Sequence, residues 1–201
     1  MTPAYNGSGV DGNAYIDVTD IAHQAPGWLN DAIAAWSVYG LTLFAVLMVA
    51  AWWRARRTGS PSAVTALAVP LITLGGFGVD LLLKLVVRED RPCQSLHVAV
   101  LESCPAPGDW SFPSNHAAIA AAAAVALLYV SRPLGAVAVG AAVLMAASRV
   151  WVGVHYPHDV LAGLAVGALV AALCARAVRR RQGTLAERLR HGRLRPLLTA
   201  P

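Results

Sequence analysis

The sequence predicts an all-α polytopic membrane bundle of about five transmembrane spans, preceded by an N-terminal interfacial helix. Three observations carry this expectation. Of the 201 residues, 57% are apolar and only 13% charged, with a mean hydropathy of +0.54, which sets the chain apart from ordinary soluble domains. Several apolar runs reach the ~20 residues needed to cross ~30 Å of hydrocarbon. The arginines cluster beside those runs, the pattern that orients membrane proteins. The net charge of +5 therefore reads as membrane orientation and excludes nucleic acid as a partner.

Residues 1–17 are polar, glycine-rich and free of basic residues. They are expected to form a flexible start, its first ten or so residues poorly ordered, and lack the pattern of a cleaved secretory signal. In 18–30, Ile21, Trp28 and Leu29 alternate with Asp20, His23 and Gln24, which suits a helix lying in the interface. A first span over 31–53 carries Trp36 and Tyr39 near one end and Trp52 and Trp53 at the other, as aromatic belts do. A second covers 62–87, with Pro70, Gly75, Gly76 and Gly78 permitting bends and close approach. After a polar loop at 92–112, a third span runs over 114–130 and a fourth over 134–148. Following the 150–156 loop, a fifth covers 157–178, where Gly163 and Gly167 make a small face for helix packing.

The membrane domain is thus 18–178. Residues 179–201 form a basic tail, amphipathic over 185–194, expected to rest on anionic lipid heads. Five spans put Arg54, Arg56, Arg57, Arg132 and the tail on one side, and the positive-inside rule makes that side cytoplasmic. Cys174 lies in an apolar run as a packing residue. Cys93 and Cys104 flank one loop; they form a disulfide if it faces an oxidising side, or both stay free.

Three polar clusters sit at span boundaries. Lys84, the one lysine of the chain, is seven residues from Arg91, so both are expected on one helical face before Pro92 ends the helix. A lysine in an apolar span is functional by default; the structural alternative is an ion pair with Asp80, four residues earlier. Pro113-Ser114-Asn115-His116 opens an apolar helix, with Ser114 as N-cap and free N–H groups suited to an anion, beside which His116 stands. Plain capping with an interfacial histidine is the alternative. In the third cluster Pro157 takes the first helical position and places Asp159 to hold one nitrogen of His155, leaving the other to attack. Arg149 adds a forked donor for phosphate oxygens. His158 is read as interfacial. A metal site from His155, His158 and Asp159 is set aside, because the surrounding Lys and Arg repel a cation.

Together, Lys84 to Arg91-Pro92, Pro113-Ser114-Asn115-His116, and Ser148-Arg149 to His155 to Asp159 resemble the three-part signature of the type 2 phosphatidic acid phosphatase superfamily, in its membrane branch. Order and internal spacings match across residues 84–159, with Asn115 standing where the pattern has glycine. The resemblance implies that His155 attacks phosphorus to give a phosphohistidine, with Asp159 orienting it. Lys84, Arg91, Arg149 and the Ser114–Asn115 backbone would hold the phosphoryl oxygens. His116 would protonate the leaving oxygen and then activate water, with no metal or other cofactor. The bacterial-type chain also resembles undecaprenyl diphosphate phosphatases. That implies a multi-pass plasma-membrane enzyme acting on a polyprenyl diphosphate; the count of basic residues puts its N-terminus and site on the outer face and its tail in the cytoplasm. Phosphatidylglycerophosphate, phosphatidate and polyprenyl-phosphosugar substrates are the alternatives, and a non-catalytic lipid-phosphate binder is the competing class.

Overall fold

Proline and glycine punctuate the chain into helices, since proline fixes φ without needing an N–H and glycine tolerates bends and close approach. The computed structural model describes residues 4–190 and 195–199. A two-residue strand β1 (Tyr5–Asn6) leads into α1 (Ser8–Gln24), α2 (Gly27–Tyr39), α3 (Leu41–Thr58) and α4 (Ser60–Val87). Strand β2 (Glu89–Asp90) and the short α5 (Pro92–Ser95) follow, then α6 (Asn115–Leu128), α7 (Arg132–Trp151), α8 (Pro157–Arg190) and the single turn α9 (Arg195–Leu198). Helices α4 and α7 carry proline in their first turns, and α8 opens on Pro157. Strand β1 lies parallel to β2, with Tyr5 opposite Glu89 and Asn6 opposite Asp90.

The all-α character is as expected, but span boundaries shift. Helices α4, α7 and α8 are each long and apolar enough to cross a membrane, and α2 with α3 adds a fourth candidate if that bent pair is one span. The region of the predicted span over 31–53 is divided between two helices: α2 and α3 meet at 52°. The break falls at Gly40, where a Cβ would come within 2.5 Å of the Trp36 carbonyl and 2.7 Å of Met145. The predicted span over 114–130 is the 14-residue α6, which at 1.5 Å per residue covers only ~21 Å.

Helix α6 is wrapped by other helices of the bundle. Eight of its alanines and Leu127 are buried, with α4, α7 and α8 packed around it. Small residues allow that closeness. A Cβ on Gly163 would lie 2.5 Å from the Ser114 carbonyl, one on Gly167 would strike the Ala118 carbonyl, and one on Gly76 would sit 2.9 Å from the Ala122 methyl. The outer faces behave oppositely: Leu71, Leu74, Leu82 and Leu85 on α4, and Leu161, Leu169 and Leu173 on α8, are exposed. Rows of exposed leucine at helical spacing are the surface a bilayer covers.

Both termini depart from expectation. Residues 5–17, expected to be irregular, hold β1 and most of α1, and Tyr15 is fully buried. The glycines of this stretch disfavour helix, but tertiary contacts override them: the Tyr15 hydroxyl donates to the Gly153 carbonyl at 2.8 Å, and its ring packs on Tyr156 at 5.5 Å. The interfacial helix expected over 18–30 is accordingly split between α1 and α2. At the other end, α8 continues past 178 to Arg190 and packs against α4, with Gln182 accepting from Thr65 at 2.8 Å and Arg190 donating to Ser60 at 3.0 Å. The helical part of the tail is thus part of the bundle; residues 191–194 of the expected amphipathic stretch lie outside the described residues.

Candidate active site

The site forms where α4 and α7 end and where α6 and α8 begin, so its residues reach it from helix termini and from the loop between α5 and α6. Cys93 and Cys104 are joined in a disulfide with Cα atoms 6.0 Å apart, which ties that loop back to the start of α5.

Helix α4 ends at Val87, not at Pro92 as expected. Arg88 takes a left-handed conformation, φ 52°, and the chain runs through β2 before Arg91, extended at φ −70° and ψ 148°, as a residue before proline prefers. Lys84 and Arg91 therefore do not share a helical face; they converge by tertiary folding. Lys84 is 4% exposed and donates to the Trp110 carbonyl at 2.5 Å and the Ser111 carbonyl at 3.4 Å. The alternative ion pair with Asp80 does not form, and both Asp80 carboxylate oxygens are buried without a hydrogen bond among the described residues.

Arg91 uses its whole guanidinium. Nε and Nη2 donate to the Asp109 carbonyl and carboxylate at 2.8 and 3.0 Å, and Nη1 donates to the Val154 carbonyl at 2.9 Å. Nη1 also lies 3.1 Å from Nε2 of His155. A guanidinium has no acceptor, so Nε2 must present its lone pair, and the proton of the neutral ring sits on Nδ1. That nitrogen lies 3.2 Å from Oδ2 of Asp159 and 3.3 Å from the Ser111 hydroxyl. Oδ2 also accepts from the Tyr156 backbone N–H at 2.8 Å and from Ser111. The predicted His155–Asp159 pairing is present, with the tautomer set at both nitrogens. Burial, reinforced by Arg91 and Lys84 against the pull of Asp159, pushes the His155 imidazole down to about 3, so the ring is neutral at physiological pH.

Arg149, in the last turn of α7, is 6% exposed. Its Nη1 donates to Glu102 at 3.1 and 3.3 Å and to the Ser37 hydroxyl, while its Nε has no partner among the described residues. Ser114 occupies the N-cap position of α6 with extended φ/ψ, but its hydroxyl makes no cap bond. The expected side-chain cap is absent; instead the Ser114 N–H donates to the Asp159 carbonyl at 3.0 Å, joining the starts of α6 and α8. The Ser114 hydroxyl and Asn115 Oδ1 are buried without partners among the described residues. His116 follows in the first turn, in the electrostatic field of Arg149, Arg91 and Lys84. The structure thus gathers Lys84, Arg91, Ser114, Asn115, His116, Arg149, His155 and Asp159 at one end of the bundle.

Sequence reasoning missed the residues that hold this set. Ser111 on Asp159, Asp109 on Arg91, and Glu102 and Ser37 on Arg149 carry no spacing signal. Ser37 precedes its partner by 112 residues. His158, read as interfacial, instead faces Asp11 at 2.7 Å and Glu89 at 2.9 Å. The metal-type grouping weighed from His155, His158 and Asp159 is also different: the atoms that come within 4.8 Å belong to Glu89, His158 and Asp159, with His155 turned to Arg91.

A multi-pass helical bundle that brings three cations and two histidines to one buried carboxylate has the make-up of a membrane protein built to handle phosphate. The chain belongs to the PAP2 superfamily, whose profile matches residues 63–183. It is 31% identical over 134 residues to the undecaprenyl-diphosphatase BcrC of Bacillus subtilis, covering 66% of each chain. It is 41% identical over 96 residues to the decaprenylphosphoryl-5-phosphoribose phosphatase of Mycobacterium tuberculosis, 47% of this chain and 51% of that one. To the undecaprenyl-diphosphatase of Sulfolobus acidocaldarius it is 40% identical over 91 residues, 45% and 44% of the two chains. The matches thus span from under half to about two thirds of these relatives' lengths. The fold is also that of a transmembrane PAP2 type phosphatidylglycerolphosphate phosphatase from Bacillus subtilis, with a TM-score of 0.62 at 22% identity over 85% of this chain and 86% of that one.

Proposed function

We propose that this protein is a lipid phosphatase that hydrolyses a polyprenyl diphosphate to the monophosphate through a phosphohistidine. The observation that carries the reading is the His155 ring, whose Nε2 lone pair faces the cationic group of Arg91 while Nδ1 is held by Asp159. Nε2 attacks the terminal phosphorus, forming a P–N bond as the bridging P–O bond breaks. His116, charged once the anionic substrate lies beside it, delivers its second ring proton to the departing lipid monophosphate oxygen and becomes neutral. It then takes a proton from water, which attacks phosphorus, releasing inorganic phosphate and restoring neutral His155. Lys84, Arg91, Arg149 and the backbone N–H groups at Ser114–Asn115 stabilise the charge on the three equatorial oxygens. Fixed cations fill the part a metal would otherwise take.

Two relatives named as undecaprenyl-diphosphatases support a diphosphate substrate. The mycobacterial relative, named for a decaprenylphosphoryl phosphoribose, favours a second reading in which the leaving group is a polyprenyl-phosphosugar. Both share a polyprenyl tail and a terminal phosphoryl group. The deciding experiment is phosphate release by the purified protein over a panel of polyprenyl diphosphate, polyprenyl-phosphosugar phosphate, phosphatidate and phosphatidylglycerophosphate. Highest kcat/KM on the diphosphate is expected, with inhibition by vanadate and none by EDTA. No release from any of these, or loss in EDTA restored by a divalent ion, would sink the reading.

The same proposal includes five membrane crossings, with α6 as the short central one, and a site that opens on the outer face. The support is the basic end of the bundle. Arg179 shares a cavity of about 130 Å³ with Thr65 and Tyr129, and Arg54 lines another of about 180 Å³ with Ser131, both at the end away from His155. In a Cys174→Ala background, Ala106→Cys is expected to react with a membrane-impermeant thiol reagent on intact cells. Reaction only after permeabilisation would reverse the orientation.

A further inference from the structure

His158 joins the N-terminal segment to Asp159, the partner of His155. Its Nδ1 lies 2.7 Å from Oδ1 of Asp11, and its backbone N–H donates to Oδ2 of the same carboxylate at 2.7 Å. Its Nε2 lies 2.9 Å from Oε1 of Glu89, which is 1% exposed. With a carboxylate against each ring nitrogen, a proton must lie along both contacts, since an ionised carboxylate only accepts. Three carboxylates around the ring favour keeping both protons on nitrogen, as an imidazolium.

The third is Asp159. Its Oδ2 is fully used, but its Oδ1 is buried with no hydrogen bond among the described residues. The Nε2 of His158 is 3.5 Å from that oxygen. A buried carboxylate oxygen without a compensating charge is costly, and His158 is the cation beside it. The ring is held in place by stacking on Tyr156, centroids 5.4 Å apart, and by Phe112 at 5.9 Å.

Asp11 reaches this position by a distortion of its own helix. It breaks α1 with φ −148° and ψ 29°, which turns its carboxylate toward the start of α8. The same stretch is packed on Glu89 through the β1–β2 pairing, and a Cβ on Gly7 would strike the Glu89 carboxylate and lie 3.1 Å from the His158 ring.

We propose that His158 is a positioning residue: it supplies the charge opposite Oδ1 of Asp159 and, through Asp11 and Glu89, makes docking of residues 5–11 a condition for holding that carboxylate against His155. This rests on the reading of His155 as nucleophile. Without His158, Asp159 loses the group opposing its free oxygen and is held against Nδ1 of His155 only through Oδ2, by the Ser111 hydroxyl and the Tyr156 N–H. The His155 tautomer is then less firmly set, and the chemical step slows while phosphate binding by Lys84, Arg91 and Arg149 persists.

The test compares His158→Gln and Asp11→Asn in the purified full chain, using three readouts. Phosphate release is expected to lose about tenfold in kcat with KM within about twofold. ¹⁵N spectra of ring-labelled histidine are expected to show His155 moving from the Nδ1–H form toward a mixture of tautomers. Hydrogen exchange of residues 8–24 is expected to quicken at least about tenfold. Unchanged kcat in both variants, or lost activity with the His155 signals unmoved, would overturn the proposal, the latter leaving His158 a structural role alone. If the wild-type chain releases phosphate from no lipid, the function assigned above fails, while the His155 spectra and exchange rates still decide the linkage.

Discussion

Replacing His155 with alanine will reduce phosphate release about ten-thousandfold or more, the scale on which removing a nucleophile acts, with the protein still folded. The side chain is 2% exposed, but the proposed role rests on one lone pair, which no neighbour replaces. Asp159 and Ser111 face Nδ1, and His116 stands in the first turn of α6. Near-normal turnover of the variant would remove His155 as nucleophile. A second consequence concerns its charge. Because burial, with Arg91 and Lys84, lowers its pKa to about 3, the ring stays neutral as pH falls through the ordinary histidine value of about 6.5. In an NMR titration of the free protein, His155 is therefore expected not to charge between pH 5 and 8. A midpoint near the ordinary value would contradict the burial argument.

The second large effect is on stability. Gly167→Val places a side chain where the Ala118 carbonyl of α6 already lies, with the Ala118 Cα only 3.0 Å from the added Cβ. The obstacle is backbone, which cannot rotate aside, so α8 must move off α6. Overpacking typically costs 1–3 kcal/mol and occasionally more; with a helix backbone as the obstacle, about 3 kcal/mol or more is expected. The displacement would also pull Asp159 from the start of α6, so activity should fall with Tm. Gly75→Ala is the control. A Cβ there meets nothing within 4 Å, and alanine favours helix over glycine by about 0.5–1 kcal/mol, so its Tm should hold or rise slightly. Equal Tm values for the two variants would refute the account of close α6–α8 contact.

Much of this was legible because it is local. Proline at 61, 133 and 157 marks helix starts, the apolar runs mark the long helices, and the small face at Gly163 and Gly167 marks where two helices touch. The pairing of His155 with Asp159 is also local, four residues apart at the entry to a helix. Where local reasoning was pushed further, it failed. The seven-residue interval from Lys84 to Arg91 implies one helical face only if the helix continues, and it stops at Val87. The Asp80–Lys84 pair is available at helical spacing, yet Lys84 turns to the carbonyls of Trp110 and Ser111. The alanine run of α6 marks an apolar helix, but composition does not report that its neighbours are protein on every side.

The amino-acid order alone determined that this chain is a helical membrane protein and marked the side chains to which phosphate chemistry is assigned in the proposal above, since hydrophobic run length and motif spacing are properties of neighbouring residues. Folding in three dimensions decided how those side chains are held: Asp109 on Arg91, Glu102 and Ser37 on Arg149, and Asp11 on His158 across 147 positions. Such contacts join residues that only the packing of helices brings within hydrogen-bond distance. No periodicity along the chain encodes them.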